Sequence, residues 1–135
     1  MERIPPDRRR RGGCLIMIIE LKQHFQIESA RFLTSLPKDH PCSKMHGHSF
    51  KIILTFKGAV DPKLGWVMDY HEITKIMQPL LNQLDHKVLN EVSGLENPTS
   101  EHLAKWIFDH VKKDIHILTA VNISETPTTE CIYQG

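Results

Sequence analysis

Residues 19–29 read IELKQHFQIES and largely alternate between apolar and polar side chains. One face carries Ile19, Leu21, Phe25, Ile27 and Ser29. A period of two residues is typical of a β-strand with one buried face. The same period returns in residues 46–57, where two histidines and then four apolar side chains share a face. These two segments predict the first two strands of a sheet.

The hydrophobic period becomes helical after the second strand. The two apolar stripes are Ile73, Ile76, Met77, Leu80, Leu81 and Leu84, and then Leu103, Ala104, Ile107, Phe108 and Val111. Asp69, followed by Glu72, and Thr99 precede these stripes and are predicted N-caps. Two helices are therefore predicted in the middle of the chain.

The alternating pattern resumes near the C-terminus, where Ile117, Val121, Ile123 and Glu125 are predicted to share one face of a third strand. A short fourth strand is predicted at residues 131–133. The order strand, strand, helix, helix, strand, strand predicts an α+β domain, a four-stranded antiparallel sheet with both helices on one face. Four short strands would leave open sheet edges, which oligomerisation can cover.

The composition limits the class of protein. The 135 residues include 17 basic and 16 acidic side chains, for a net charge of +1, so no nucleic-acid partner is predicted. Three cysteines without an evident export signal favour a reducing compartment, and we predict a cytoplasmic protein. The apolar run at residues 14–19 is too short to span a membrane. Residues 1–16 are predicted to be a disordered extension, or an extension upstream of a true start at Met17, and residues 17–135 form the domain.

The sharpest local motif is CSKMHGH, which begins at Cys42. His46 and His48 project to the same side of a strand, where two imidazoles can chelate one ion, and imidazole suits zinc. The alternative is that the two rings only pack at the strand end. Cys42 is either an activated base or nucleophile, or an inert buried thiol.

Two further positions carry carboxylates in suggestive places. Asp85 directly precedes His86 after the first helical stripe, and a carboxylate beside a histidine can fix its tautomer. Neighbouring residues on a helix do not face each other, so such a pair needs a helix break. The alternative is a solvated helix end in which Asp85 pairs with another group or with none. Glu125 extends the apolar face of the third strand. Its carboxylate could accept two parallel hydrogen bonds from a guanidine-like ring edge of a ligand, or it could form a salt bridge with a nearby cation.

These features occur together in one family. The chain from about Phe25 resembles the 6-carboxytetrahydropterin synthases and the related 6-pyruvoyltetrahydropterin synthases. The matching stretches are CSKMHGHSF from Cys42, GWVMDY from Gly65, LDH from Leu84, LN from Leu89, GLENPTSE from Gly94, SET from Ser124 and CIY from Cys131. The resemblance implies the tunnelling fold, a barrel of several subunits, in which we expect a hexamer or tetramer with active sites at subunit boundaries.

The resemblance also implies an activity. It implies a lyase that acts on 7,8-dihydroneopterin triphosphate and releases acetaldehyde and triphosphate, leaving 6-carboxytetrahydropterin on the route to queuosine. The alternatives are a 6-pyruvoyl product from the same substrate, or a pterin-binding paralogue with an impaired metal site. By resemblance, Cys42, Asp85 and His86 are catalytic, and Glu125 and Thr99 bind the substrate.

One position departs from the family pattern. The resemblance implies one zinc ion per subunit, with His46 and His48 as two of three histidine ligands. The third would stand eleven residues before Cys42, where this chain has Arg31. Arginine has no lone pair to offer a metal, so we expect His40 as the substitute ligand. We also expect the Arg31 guanidinium to turn aside from the metal, toward a carboxylate or the substrate's triphosphate.

Overall fold

The computed structural model describes residues 10–11 and 14–135. Its strands are β1 (Arg10–Arg11), β2 (Cys14–Leu15), β3 (Ile18–Arg31), β4 (His46–Ala59), β5 (Leu118–Thr126) and β6 (Thr129–Tyr133). Its α-helices are α1 (Tyr70–Leu84) and α2 (Ser100–Asp114), and single 3-10 turns lie at Pro41–Ser43 and Leu89–Glu91. The disorder predicted for the N-terminal extension concerns mostly residues outside the described part.

The main sheet is four-stranded and antiparallel, in the order β3-β4-β5-β6, and β1 pairs separately with β2. The expectation of short strands was wrong for β3 and β4, which have 14 residues each. They pair along their whole length, from Ile18 opposite Ala59 to Arg31 opposite His46. This register fixes which side chains meet at the strand ends, and so it positions the site described below.

The core lies between one face of the sheet and the two helices. Both predicted apolar stripes are buried in or packed against a single core cluster that includes the inward side chains of β3, β4 and β5. The predicted caps are also present: Asp69 accepts a hydrogen bond from the backbone N–H of His71, and Thr99 accepts one from that of His102. Both helices therefore lie on one face of the sheet, as the order of elements predicts.

The start of the third strand differs from the prediction because the strand contains a β-bulge. The register of β4 against β5 shifts between Thr55 and Phe56, so that Phe56 lies opposite Leu118. Leu118 thus takes the buried position that the alternating pattern assigned to Ile117, which lies outside the strand. The extra residue restores the predicted phase from Val121 onward, because a bulge absorbs one position of the two-residue period. Glu125 therefore remains on the inward face.

None of the helices in the described residues combines the length and the apolar character that a membrane crossing requires.

Candidate functional site

The ends of β3 and β4 place three polar side chains at the edge of the core. Arg31 lies opposite His46, and His48 follows two residues later on the same face. The rings of His46 and His48 are 4.8 Å apart between centroids. We call this group of Arg31, His46 and His48 the histidine corner. The alternating pattern predicted that its two imidazoles are neighbours.

Arg31 stays on the inward face, and its guanidinium is turned toward a carboxylate, one of the two partners expected for it. The residue is 3% exposed. One terminal nitrogen donates a hydrogen bond to the Pro98 carbonyl at 3.1 Å, and the other forms an ion pair with Glu125 Oε2. The guanidinium carbon also lies 5.1 Å from the centroid of the Phe50 ring. A cation is tolerated at this depth because a carboxylate, a carbonyl and an aromatic face surround it.

Glu125 is thus in the salt bridge that was one of its two sequence interpretations. Ser100 donates a second hydrogen bond to the same carboxylate oxygen, at 3.1 Å. Sequence reasoning did not select Ser100 as a site residue. A signal was present, because Ser100 precedes Leu103 and Ala104 by three and four residues and so continues the buried stripe of α2.

Loss of Glu125 is expected to destabilise the fold. The Arg31 side chain is 4% exposed and that of Glu125 is 29% exposed. Glu125→Gln leaves a buried guanidinium without its counter-ion and should lower the free energy of unfolding by about 2–3 kcal/mol, below the range for fully buried pairs. Arg31→Met should lose less, because Glu125 can reach water. The measurement is urea denaturation of both variants and of the double variant.

The double variant tests the pairing itself. If the two residues stabilise each other, the loss in the double variant is smaller than the sum of the single losses. Glu20→Gln, on the exposed face of β3, should change stability by less than about 0.5 kcal/mol. Additive losses would mean that the ion pair contributes no coupling energy.

Asp85 and His86 form the second polar group. α1 ends at Leu84, Asp85 is extended, and His86 has φ of 57°, the only positive φ of a non-glycine residue in the described part. This break lets Asp85 Oδ2 approach His86 Nδ1 to 3.0 Å. The helix break that such a pair requires is therefore present.

The end of β3 holds this pair in place. The Glu28 amide donates to Asp85 Oδ1 at 2.8 Å, and the His86 amide donates to the Glu28 carbonyl at 2.7 Å. The hydrogen bond from the Glu28 amide, and then that from His86, lower the pKa of the Asp85 carboxyl below its ordinary value. Asp85 is thus held as a carboxylate that orients the imidazole through Nδ1, leaving Nε2 for a proton.

A cavity of about 530 Å³ is lined by one member of each group, His48 and His86. Its polar lining is Glu28, Ser29, His48, Ser49, His86 and Lys87. Hydrogen bonds from Ser49 and Gln26 lower the pKa of Glu28. We call this space the relay cavity. Its acidic member, Glu28, was missed because on the sequence it belongs to the outward, solvated face of β3.

Cys42 lies apart from this cavity within the described chain, since it is not among the lining residues. It is half-buried in the 3-10 turn Pro41–Ser43. Its amide donates to His40 Nδ1 at 3.1 Å, and its carbonyl accepts from the Leu33 amide at 2.8 Å. The described chain shows no contact between the Cys42 backbone and the Asp85–His86 pair.

The donors do not fit a three-ligand zinc ion. His40 is exposed and uses Nδ1 to cap its own turn. Across the described residues, no three His, Cys, Asp or Glu side chains are close enough to hold a metal. Burial and then the charge of Arg31 lower the pKa of His48, which favours its neutral imidazole. The predicted zinc ion remains untested, and the remaining place in the histidine corner holds a guanidinium, which cannot coordinate.

Thr99, the other predicted substrate contact, is half-buried and its hydroxyl accepts from the His102 amide at 3.1 Å. It adjoins Pro98 and Ser100, both of which contact the Arg31–Glu125 pair. The start of α2 therefore brings Thr99 close to Glu125 in the fold.

Comparisons with known proteins agree on a family and differ on a product. The family described as 6-pyruvoyl tetrahydropterin synthase matches residues 20–135. A 6-carboxy-5,6,7,8-tetrahydropterin synthase of Synechocystis is 33% identical over 117 residues, 82% of this chain and 89% of that protein. A dihydroneopterin monophosphate aldolase of Pyrococcus furiosus is 33% identical over 72 residues, 53% of this chain and 60% of that protein.

A solved structure supports the same fold. The 6-pyruvoyl tetrahydropterin synthase of Caenorhabditis elegans has a TM-score of 0.83 and 28% sequence identity, and the match covers 89% of this chain and 97% of that one. The tunnelling fold expected from the motifs is thereby confirmed. The three relatives carry three different activities in their names, so the product needs a chemical argument and an experiment.

Proposed function

Because the chain belongs to the 6-pyruvoyl tetrahydropterin synthase family, we propose that it is a lyase that converts 7,8-dihydroneopterin triphosphate to 6-carboxytetrahydropterin. Water is consumed, and acetaldehyde and triphosphate are released. The observation that carries this proposal is the Asp85–His86 pair, which a left-handed residue builds at the relay cavity. A non-glycine residue in that conformation is costly and is typical of functional sites.

In the proposed reaction the thiolate of Cys42 removes a carbon-bound proton from the substrate side chain. His86 exchanges a proton with a substrate oxygen through Nε2, while Asp85 holds Nδ1 and stabilises the charged imidazole. Glu125 and Thr99 bind the pterin ring, with Oε2 of Glu125 already committed to Arg31 and Ser100. With this product, the protein would act on the route to queuosine.

We also propose that the site is completed in a homo-oligomer. His86 lines the relay cavity and Cys42 does not, which favours a site in which a second copy supplies one of them. The outer strands of the sheet are β3 and β6, and exposed apolar side chains lie at both, Met17 and Ile18 at β3 and Ile132 on β6. Open edges with apolar side chains favour strand pairing between copies. Light scattering during size-exclusion chromatography tests this, and a monomer would contradict it.

Arg31 favours one other candidate, a pterin-binding chain without turnover, because a guanidinium at this position cannot coordinate a catalytic metal ion. The decisive experiment incubates the purified chain with dihydroneopterin triphosphate and, separately, with the monophosphate. Mass spectrometry identifies the pterin, and acetaldehyde is assayed enzymatically. 6-Carboxytetrahydropterin with acetaldehyde supports the proposed lyase. A 6-pyruvoyl product, 6-hydroxymethyldihydropterin with glycolaldehyde phosphate from the monophosphate, or a pterin that binds unchanged would each contradict it.

A further inference from the structure

The histidine corner has unmet hydrogen-bonding capacity that a metal ion does not meet. Arg31 Nε is buried without a hydrogen-bond partner, and so is His46 Nε2, in the part of the chain that the structure describes. Arg31 and His46 are directly opposite each other on β3 and β4, where Cβ atoms lie about 5 Å apart. Both unpartnered nitrogens therefore belong to one small region of the fold.

The chemistry of these nitrogens selects the missing partner. Arginine Nε carries a hydrogen and has no lone pair, so only an acceptor can satisfy it. His46 Nδ1 is engaged with the Lys44 carbonyl at 2.7 Å, as a donor, which leaves Nε2 as an acceptor in the neutral ring. A hydroxyl group satisfies both, because its oxygen accepts from Arg31 and its hydrogen goes to His46. A cation would satisfy His46 alone and would be repelled by the guanidinium.

The rest of the guanidinium is fixed. Its terminal nitrogens bond to the Pro98 carbonyl and to Glu125, and its carbon packs on Phe50. A displaced, mobile arginine could leave room for an ion. This one is held on three sides and is 3% exposed, so the guanidinium keeps its place in the site.

We propose that the histidine corner is an oxygen-binding subsite without a metal, in which Arg31 and His46 bind a hydroxyl oxygen on the side chain of a pterin. Arg31 supplies a fixed Nε–H donor to that oxygen, in the place where a metal would supply a Lewis acid. The identity of the ligand as a pterin rests on the proposed function, whereas the absence of a metal from the subsite rests on the donors alone.

The first test uses zinc alone. The purified full-length chain is treated with chelator, titrated with zinc and analysed for bound metal. We expect the unmodified chain to bind less than one zinc ion at the histidine corner. His48→Ala should therefore leave the zinc content unchanged. Arg31→His should gain about one zinc per chain, because it creates a third imidazole, whereas Arg31→Lys should not. One zinc per unmodified chain, lost in His48→Ala, overturns the proposal even if Arg31→His does not fold.

The second test uses ligand binding with excess chelator present. Neopterin, which carries a hydroxylated side chain, should bind about 10-fold or more tighter than unsubstituted pterin, the effect of a hydrogen bond to a charged group. Arg31→Lys should reduce that ratio, because lysine has no donor at the Nε position. Equal affinities, or neopterin binding that chelator abolishes, overturn the proposal.

The two proposals can fail separately. If the chain prefers neopterin without zinc but turns over no substrate, the subsite proposal stands and the lyase proposal fails. If the chain produces 6-carboxytetrahydropterin only when zinc is bound at the histidines, the lyase proposal stands and the proposal of a metal-free subsite fails.

Discussion

Replacing Cys42 with alanine should lower turnover of dihydroneopterin triphosphate by about 10²–10⁴-fold, the usual effect of losing a positioned general base. The thiol is the only proposed proton acceptor for the carbon-bound hydrogen. Affinity for a pterin product should change little, because the proposed ring contacts are Glu125 and Thr99, on β5 and at the start of α2. The measurements are steady-state kinetics and a fluorescence titration of the pterin.

The matched control is Ser43→Ala in the same 3-10 turn. Ser43 bonds only to backbone carbonyls of its own loop, those of Lys38 and His40. It should therefore perturb the loop without touching the thiol, and turnover should stay within a few-fold of the parent. If Cys42→Ala kept near-parental turnover, the carbon-bound proton would have to go to another group.

Replacing His86 with asparagine should cause a loss of similar size, about 10²–10⁴-fold in turnover, with little change in melting temperature. Asparagine tolerates the left-handed conformation that position 86 requires, so the break after α1 can persist while the imidazole is removed. Alanine at the same position would mix loss of the proton carrier with backbone strain. Comparing His86→Asn with His86→Gly separates the two effects.

The chain offers a close control for this variant at the other end of α1. His71 Nδ1 lies 3.1 Å from Asp69 Oδ1, so it repeats the aspartate–histidine pairing outside the relay cavity. His71→Asn should leave turnover unchanged. Equal losses in the two variants would show that position 86 acts through helix stability and not through proton transfer.

The fold was largely predictable because its determinants are local. Alternation placed β3 and β4, and helical spacing placed both stripes, since each pattern reports which side of an element is buried. The bulge was missed because Thr119, like any bulged residue, leaves no signature in composition. The length of the two long strands was also underestimated, because their outer ends pair mainly with each other and carry few buried side chains.

The site was predictable only where its geometry is local. The Asp85–His86 pair consists of adjacent residues at a helix break. The sequence could therefore predict that the pair forms only if the helix ends before it. The Arg31–Glu125 pair joins residues 94 positions apart on strands separated by β4. No local pattern reports such a contact, so the sequence predicted a carboxylate partner for Arg31 but not that the partner is Glu125. Both alternatives for Glu125 were chemically sound, and only the packing of Arg31 beside it decided between them.

The segment that carries His86 also covers the outer edge of β3. The His86 amide bonds to the Glu28 carbonyl, and the Ala30 amide bonds to the Lys87 carbonyl at 2.9 Å, next to a bridge between Ala30 and Val88. If these bonds open, backbone groups of an edge strand become available to other molecules. Detachment of this segment would then cause both the loss of activity and the precipitation of the protein. A preparation that loses activity by detachment of this segment should become turbid at the same rate, whereas chemical damage to the imidazole should leave a clear, inactive solution.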